Sequence, residues 1–475
     1  MRFMNQKLHT PNAKGTHITQ RFLRDEPAFV TSLDFGPFVA QGVGSGPSVL
    51  IGDQAEINLI TSIENRRLDH RMALLAQNND FVLVRKREAE FEAYLAECLA
   101  LENLHFLEVN DGSLHSVARQ ARTSDTVLKP LVDAARTHQG LTLKAYLTTG
   151  NVWRLAQAIG EMSGQIIHVC GPSPRTTRRA NDKLWFTEVA RQVIGPRATP
   201  PTLSAYGPAA AAGLVRRISK MAEQVIVKVP DSAGSAGNIR LEKAHLDTMT
   251  LAEIRQLLMS RLHAVGWHDI YPILVGVWDA HVTHSPSAQL WVPKAGEGAP
   301  IVEGIFEQHV QGGTAAFAGA AQSVLPPAIQ TRLSAEALGI ADVLQHLGYF
   351  GRCSFDAVIC QVHDATDVIH WIECNGRWGG VSIPMTAAGQ LVSPTAKTAI
   401  SIAQETVQGS PMHTAALRKL LGDLMFNKGR RDRGIVILSP PESARGVSVN
   451  LLAIGDSQEA ADDMLGEAMQ RLVAL

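Results

Sequence analysis

The chain has 475 residues, more than a single hydrophobic core organises, so two or three domains are expected. Its 44 Lys and Arg against 45 Asp and Glu give a net charge of −1, which excludes the basic footprint of a nucleic-acid binder or of a protein held on an anionic membrane. Five scattered cysteines (Cys98, Cys170, Cys353, Cys360 and Cys374) form neither a C-x-x-C pair nor a disulfide ladder, and no apolar run reaches the length of a membrane span, so a reducing, cytoplasmic setting is expected.

Along the chain, the N-terminal stretch lacks the apolar core of a secretory signal. From about residue 30 to residue 180 strands and helices alternate. Ser48–Ile51, Phe81–Lys86, Leu104–Val109, Leu141–Leu147 and Gln165–Val169 read as strands; Glu88–Leu101 and Thr126–Thr137 read as helices. Such alternation predicts an open α/β layer with a mainly parallel sheet. The glycines at 42, 44 and 46 precede a strand, whereas a dinucleotide fingerprint follows one, so they read as a turn. Gly171-Pro-Ser-Pro174 marks a boundary. In the helix that follows, Asn181 is the expected N-cap, and Lys183 sits in the first turn, where the helix dipole disfavours a cation.

A helix at Ala209–Gln224 leads to the strand Val225–Pro230, which puts Val225, Val227 and Val229 on one face and Lys228 on the other. A lysine there either reaches solvent or meets an anion. The loop after it, Ser232-Ala-Gly234-Ser235-Ala-Gly237, has only small side chains, and its backbone N–H groups can fold over phosphates. No G-x-x-x-x-G-K-[ST] occurs, so the P-loop route to ATP is closed. Thr250–Val265 is an amphipathic helix, and Tyr271–Ala280 an apolar strand entering a small-residue bend. His281 and His284 have a spacing seen in metal sites, but a polar loop explains them. Ser285–Pro293 and Ile301–Val310 read as strands, 312–319 as a loop that could border a substrate, and Ser334–Leu347 as a helix. After Pro384 the chain reads as helical. Gly409-Ser410-Pro411 reads as a linker, and the tail as strands Gly434–Leu438 and Val447–Gly455 and a helix beginning at Asp456, with Glu459 as its capping-box partner. The basic run Lys428–Arg433 reads as a solvated loop.

The most informative stretch is 355–380. Two apolar arms, Phe355–Cys360 and Val368–Cys374, flank a polar turn and read as a β-hairpin. Pairing about the middle of the turn sets Asp356 opposite Glu373, with Asn375 on the same side and Cys374 facing away. Two carboxylates and an amide oxygen repel one another unless they surround a hard cation such as Mg²⁺, which also leaves room for phosphate oxygens. Arg377 follows, with a fork that holds a carboxylate or phosphate in two places.

Asp356 followed by Glu373-Cys-Asn375-Gly-Arg377-Trp-Gly379-Gly380 resembles the metal strands of the ATP-grasp ligases. The layout most resembles that of the pheganomycin-type peptide ligases. The first metal ligand here is Asp, where many relatives use Glu. The resemblance implies α/β and α+β architecture: a pre-ATP-grasp α/β domain at 1–175, an ATP-grasp domain at 176–410 and a small C-terminal α/β domain at 411–475. It implies an ATP-dependent ligase that joins a carboxylate to an amine through an acyl phosphate, releasing ADP and phosphate. Asp356, Glu373 and Asn375 would hold Mg²⁺, or Mn²⁺ in its place. Lys183 and Lys228 would grip the phosphates of ATP under a lid formed by Ser232, Gly234, Ser235 and Gly237. Leu274, Val275 and Val277 would border adenine, Asp279 would meet ribose, and Arg377 would orient the carboxylate or stabilise the acyl phosphate. The partners implied are amino-acid or peptide substrates, not nucleic acid or membrane, and a homodimer is one assembly open to the chain. A carboxylase, a phosphotransferase and a non-catalytic nucleotide-binding module are the other classes this pattern allows.

Overall fold

The structure is a computed structural model that describes residues 13–26, 33–57, 67–109, 115–230, 232, 237–312, 316–361, 367–441 and 447–474. Among the described residues the strands form three sheets.

The first sheet contains β1 (Val39–Gln41), β2 (Ser48–Ile51), β3 (Phe81–Val84), β4 (His105–Glu108), β5 (Leu141–Ala145) and β6 (Ile167–Val169), in the order β1-β6-β5-β2-β3-β4. All its pairings are parallel, as the alternation of elements predicts. β2 and β3 are buried throughout, which suits a parallel sheet covered on both faces. Their alternate residues enter different cores. Val49, Ile51 and Leu83 pack with Leu131, Leu155 and Ile159 from the helices Asp125–His138 and Gly150–Ser163. Leu50, Val82 and Val84 pack with Met72, Phe91 and Leu95, in a core that continues to Ile435, Leu451 and Leu417 near the C-terminus. The helices Ala13–Asp25 and Gly150–Ser163 have no counterpart in the sequence reading.

The second sheet is small and antiparallel: β7 (Thr202–Ala205), β8 (Gln224–Lys228), β9 (Asn238–Glu242) and β10 (Ile273–Val277), in the order β7-β10-β8-β9. Val225, Val227, Ile273 and Val275 face the helices Pro208–Ser219 and Leu251–Ala264, packing on Val215, Ile254, Leu258 and Leu262. Thr250 and Glu253 close a capping box at the start of the second helix. Strand alternation leaves Ile226, Lys228, Leu274 and Gly276 on the opposite face, with Leu274 directly across from Lys228.

The third sheet has nine strands. These are β11 (Val282–His284), β12 (Pro286–Val292), β13 (Ile301–Gln311), β14 (Ala316–Gln322), β15 (Gly351–Gln361), β16 (Asp367–Asn375), β17 (Ala399–Val407), β18 (Gly434–Ile437) and β19 (Val447–Gly455). Cys353, Phe355, Ala357 and Ile359 of β15 point into a core made with Trp185, Phe186, Leu333, Ile340 and Leu344 from the helices Lys183–Val193 and Pro327–His346. Asp356 and Val358, on the alternate positions, are only partly buried and face the cleft.

Several sequence expectations are corrected here. Residues 316–319, read as part of a loop, begin strand β14, and residues 399–407, in the region read as helical, are strand β17. Apart from Phe317, residues 316–321 are alanine and glycine and give little strand signal, but a small-residue strand fits between β13 and β17. A Cβ on Gly319 would lie 2.1 Å from the Ile402 carbonyl oxygen. The tail, read as a small domain from 411, adds β18 and β19 to this same sheet, with β19 paired along the length of β17. Its last helix is Gln458–Val473, capped by the Ser457 side chain, which accepts from the Ala460 amide. Asn181 is not the N-cap of the helix Lys183–Val193; Asp182 is, its carboxylate accepting from the amides of Leu184 and Trp185.

Candidate active site

The hairpin β15–β16 pairs as the sequence predicts. Asp356 stands opposite Glu373 and Ser354 opposite Asn375, with a bulge immediately beyond Asp356. Asp356 is held from two sides: the Ser287 hydroxyl donates to its Oδ1 at 2.6 Å, and the Asn375 amide donates to its Oδ2 at 2.8 Å. Gln289 in turn donates to the Ser287 hydroxyl at 2.9 Å. Burial, and then the neighbouring Glu373 charge, push the Asp356 carboxyl up to about 6.

Lys183 reaches this hairpin from the start of its helix. It is buried, its ammonium lies 2.9 Å from Glu373 Oε2, and it also donates to the Ser232 carbonyl. The dipole mismatch noted in the sequence is thus resolved by a carboxylate. Burial acts to raise the Glu373 carboxyl, but the charges of Lys183, Lys228 and Arg377 outweigh it and hold Glu373 below the usual range. Lys228, on the cleft face of β8, is pushed down to about 8 by burial, opposed by Glu373, reinforced by Lys183 and opposed again by Asp279.

Arg377 is clasped. Its guanidinium donates to the side-chain oxygens of Asn181 and Asn375, and the Gly376 amide donates to Asn181 Oδ1 at 3.1 Å. Asn181 completes the clasp by donating to the carbonyls of Thr177 at 2.7 Å and Gly376 at 3.3 Å. A Cβ on Gly376 would come within 2.9 Å of the Ala180 Cβ, so the turn closes only around glycine.

The adenine expectations divide by face. Leu274 shares the cleft face with Lys228, whereas Val275 and Val277 turn their side chains towards the core beneath the four-stranded sheet, so of these three only the Leu274 side chain is presented to the cleft. The Asp279 carboxylate lies 3.0 Å from His370 Nδ1. Ser232 is buried, with its hydroxyl on the Val229 carbonyl at 2.8 Å, and Gly237 takes a φ of +81° at the foot of β9. Gly234 and Ser235 lie outside the described residues. Asn181, Ser287 and Gln289 belong to the site and were not singled out from sequence; the alternation of Ser287 and Gln289 in an otherwise apolar strand was the available signal.

Comparison with known proteins extends this picture. Residues 69–161 match the family model of the Pre ATP-grasp domain. No curated protein matches the chain. The solved biotin carboxylase of Campylobacter jejuni superposes with a TM-score of 0.54 at 14% identity, over 90% of this chain and 91% of that one. The N5-carboxyaminoimidazole ribonucleotide synthetase of Thermus thermophilus gives 0.52 at 15% identity, over 90% and 98%. The biotin carboxylase domain of the Hydrogenobacter thermophilus 2-oxoglutarate carboxylase, solved as a dimer with MgADP, ADP and bicarbonate, gives 0.54 at 12% identity, over 89% of each chain. The chain has the ATP-grasp fold. The cleft lies between the four-stranded sheet, named the lid sheet below for its position, and the nine-stranded sheet.

The donor set fits the hard cation such a cleft implies. Asp356 and Glu373 set two carboxylates on one face of the hairpin with Asn375 beside them; the Asn375 amide donates to Asp356 and its Oδ1 accepts from Arg377, so a bound ion would take that oxygen only as the side chain turns from Arg377. Among the described residues no helix is long and apolar enough to cross a membrane.

Proposed function

We propose that this protein is an ATP-dependent ligase that forms an amide bond between the carboxylate of an amino acid or peptide and an amine, in the manner of the pheganomycin-type peptide ligases. The observation that carries the reading is the Asp356–Glu373 pair facing Asn375 on one side of the hairpin, with Lys183 on Glu373 and Lys228 on the facing lid strand.

In this reading Asp356, Glu373 and Asn375 hold Mg²⁺, which neutralises charge on the transferring phosphoryl group when bound. Lys183 and Lys228 grip the phosphates of ATP, Lys183 by exchanging the Ser232 carbonyl for a phosphate oxygen. The substrate carboxylate attacks the γ-phosphorus, the bond to ADP breaks, and an acyl phosphate forms. An amine then attacks the acyl carbon and phosphate leaves. Arg377, fixed by Asn181, orients the carboxylate and stabilises the oxyanion that forms during amine attack. Leu274 borders adenine, and Asp279 meets ribose.

The test is an incubation with ATP, Mg²⁺ and a panel of amino acids and peptides, followed for ADP and for product mass. ADP and phosphate with an amide product support the reading. AMP and pyrophosphate mark an adenylating enzyme. Strict dependence on bicarbonate marks a carboxylase, a stable phosphorylated product a kinase, and ATP binding with no turnover a nucleotide-binding module.

A further inference from the structure

Among the described residues, one group of three unlike metal donors stands apart from the Asp356–Glu373 centre. Asp279, Cys360 and His370 each bring a ligand atom within 4.8 Å of the other two. His370 Nδ1 is 3.0 Å from Asp279 Oδ2, and the Cys360 side chain is buried. The strands fix this meeting. Val358 pairs with His370 and Cys360 with Val368, so Cys360 and His370 are diagonal neighbours on the cleft face of the hairpin. Cys360 is four residues beyond Asp356 on that face, about 13 Å along the strand at about 3.3 Å per residue. Asp279 comes from elsewhere, the link that follows β10 of the lid and precedes β11.

We propose that Asp279, Cys360 and His370 form a site for a borderline divalent transition metal, Zn²⁺ above all, which fastens the lid link to the β15–β16 hairpin. Thiolate, imidazole and carboxylate together are a zinc donor set, whereas Mg²⁺ takes oxygen donors and the hairpin's oxygen cluster serves it. Asp279 Oδ2 and His370 Nδ1 are already 3.0 Å apart and no two of the ligand atoms are more than 4.8 Å apart, so a rotamer-scale movement gathers the three about an ion placed between them. Three protein donors leave a fourth position for water. Binding takes the Cys360 S–H to a thiolate and passes its proton to the buffer; no electron changes hands. A carboxylate has two oxygens, and the metal and a ribose hydroxyl can share Asp279. The inference does not rest on the ligase reading.

The experiment is a Co²⁺ titration of the chelator-stripped full chain without nucleotide, read by absorption and by proton release. The site predicts one equivalent of tightly held cobalt, a thiolate-to-cobalt charge-transfer band and a proton released per metal. C360S abolishes the band, H370Q weakens binding at least about tenfold, and E373Q leaves both unchanged; circular dichroism checks that each variant is folded. Absence of the band in the parent protein, its survival in C360S, or its loss in E373Q overturns the proposal.

Discussion

Lys183 Nζ sits 2.9 Å from Glu373 Oε2, joining a helix start to a strand 190 residues later. It gives Glu373 a cation where the facing Asp356 gives it only repulsion. Removing it leaves a partly buried carboxylate pair with less compensation and removes a phosphate contact. K183A is therefore expected to lower ADP formation by roughly 10²–10³-fold, the scale seen when a preorganised electrostatic contact is lost. Steady-state ADP release checks this; near-parent turnover would show that Lys183 is only a structural partner of Glu373.

Lys228 sets a pH dependence. Its folded value, about 8, lies below the ordinary 10.5. Below pH 8 the ammonium is charged and ready for phosphate. Above it the proton is lost, and nucleotide binding must take one up. The nucleotide Kd should therefore be flat below about pH 7 and rise up to about tenfold per unit well above pH 8. K228M should bind weakly with this dependence removed. Calorimetry across pH reads both.

The same shift bears on folding. The unfolded chain holds the Lys228 proton more tightly, so the charge costs stability below pH 8, and the cost is relieved as pH rises from about 8 towards 10.5. The Tm gained by K228M over the parent should be larger at pH 7 than at pH 10. A gain independent of pH would contradict burial of the charged form.

Much of this site was open to a reader of the sequence, for a local reason. The hairpin arms are close along the chain, and a period of two fixes which side chains share a face once the turn is placed. That is why the Asp356–Glu373 pairing was legible. The Lys183–Glu373 ion pair and the Asn181 clasp on Arg377 were not, because each joins segments nearly 200 residues apart. Asn181 also imitates a helix cap, and only the fold shows that Asp182 takes that role while Asn181 turns to Gly376. The parallel sheet followed from alternation, whereas β14 and β17 hid behind small and mixed residues. The Cys360–His370 diagonal could have been drawn from the same hairpin register, but Asp279 joins it only through the lid link.

The clasp predicts a positioning role. Asn181 touches Arg377 and the Gly376 backbone, not the carboxylate pair. N181A should lower kcat with little change in the KM for ATP, and G376A, which forces a Cβ to within 2.9 Å of Ala180, should cost about 1–3 kcal/mol of stability besides. Kinetics and urea unfolding separate the two.

The shared sheet makes the tail indispensable. Truncation after residue 410 removes β18 and β19 and strips the paired edge of β17, where Ile400 and Ile402 are buried. The shortened chain should aggregate or fail to fold; a soluble, cooperatively melting product would mean that the tail is a separable domain.

The central claim is tested most directly by measuring ADP and product mass with the parent protein and E373Q, each given ATP, Mg²⁺ and the donor–amine panel. The account predicts Mg²⁺-dependent ADP release coupled one-to-one to an amide product in the parent, and loss of both in a folded E373Q. ADP and amide formation undiminished in E373Q, or AMP in place of ADP, would contradict it.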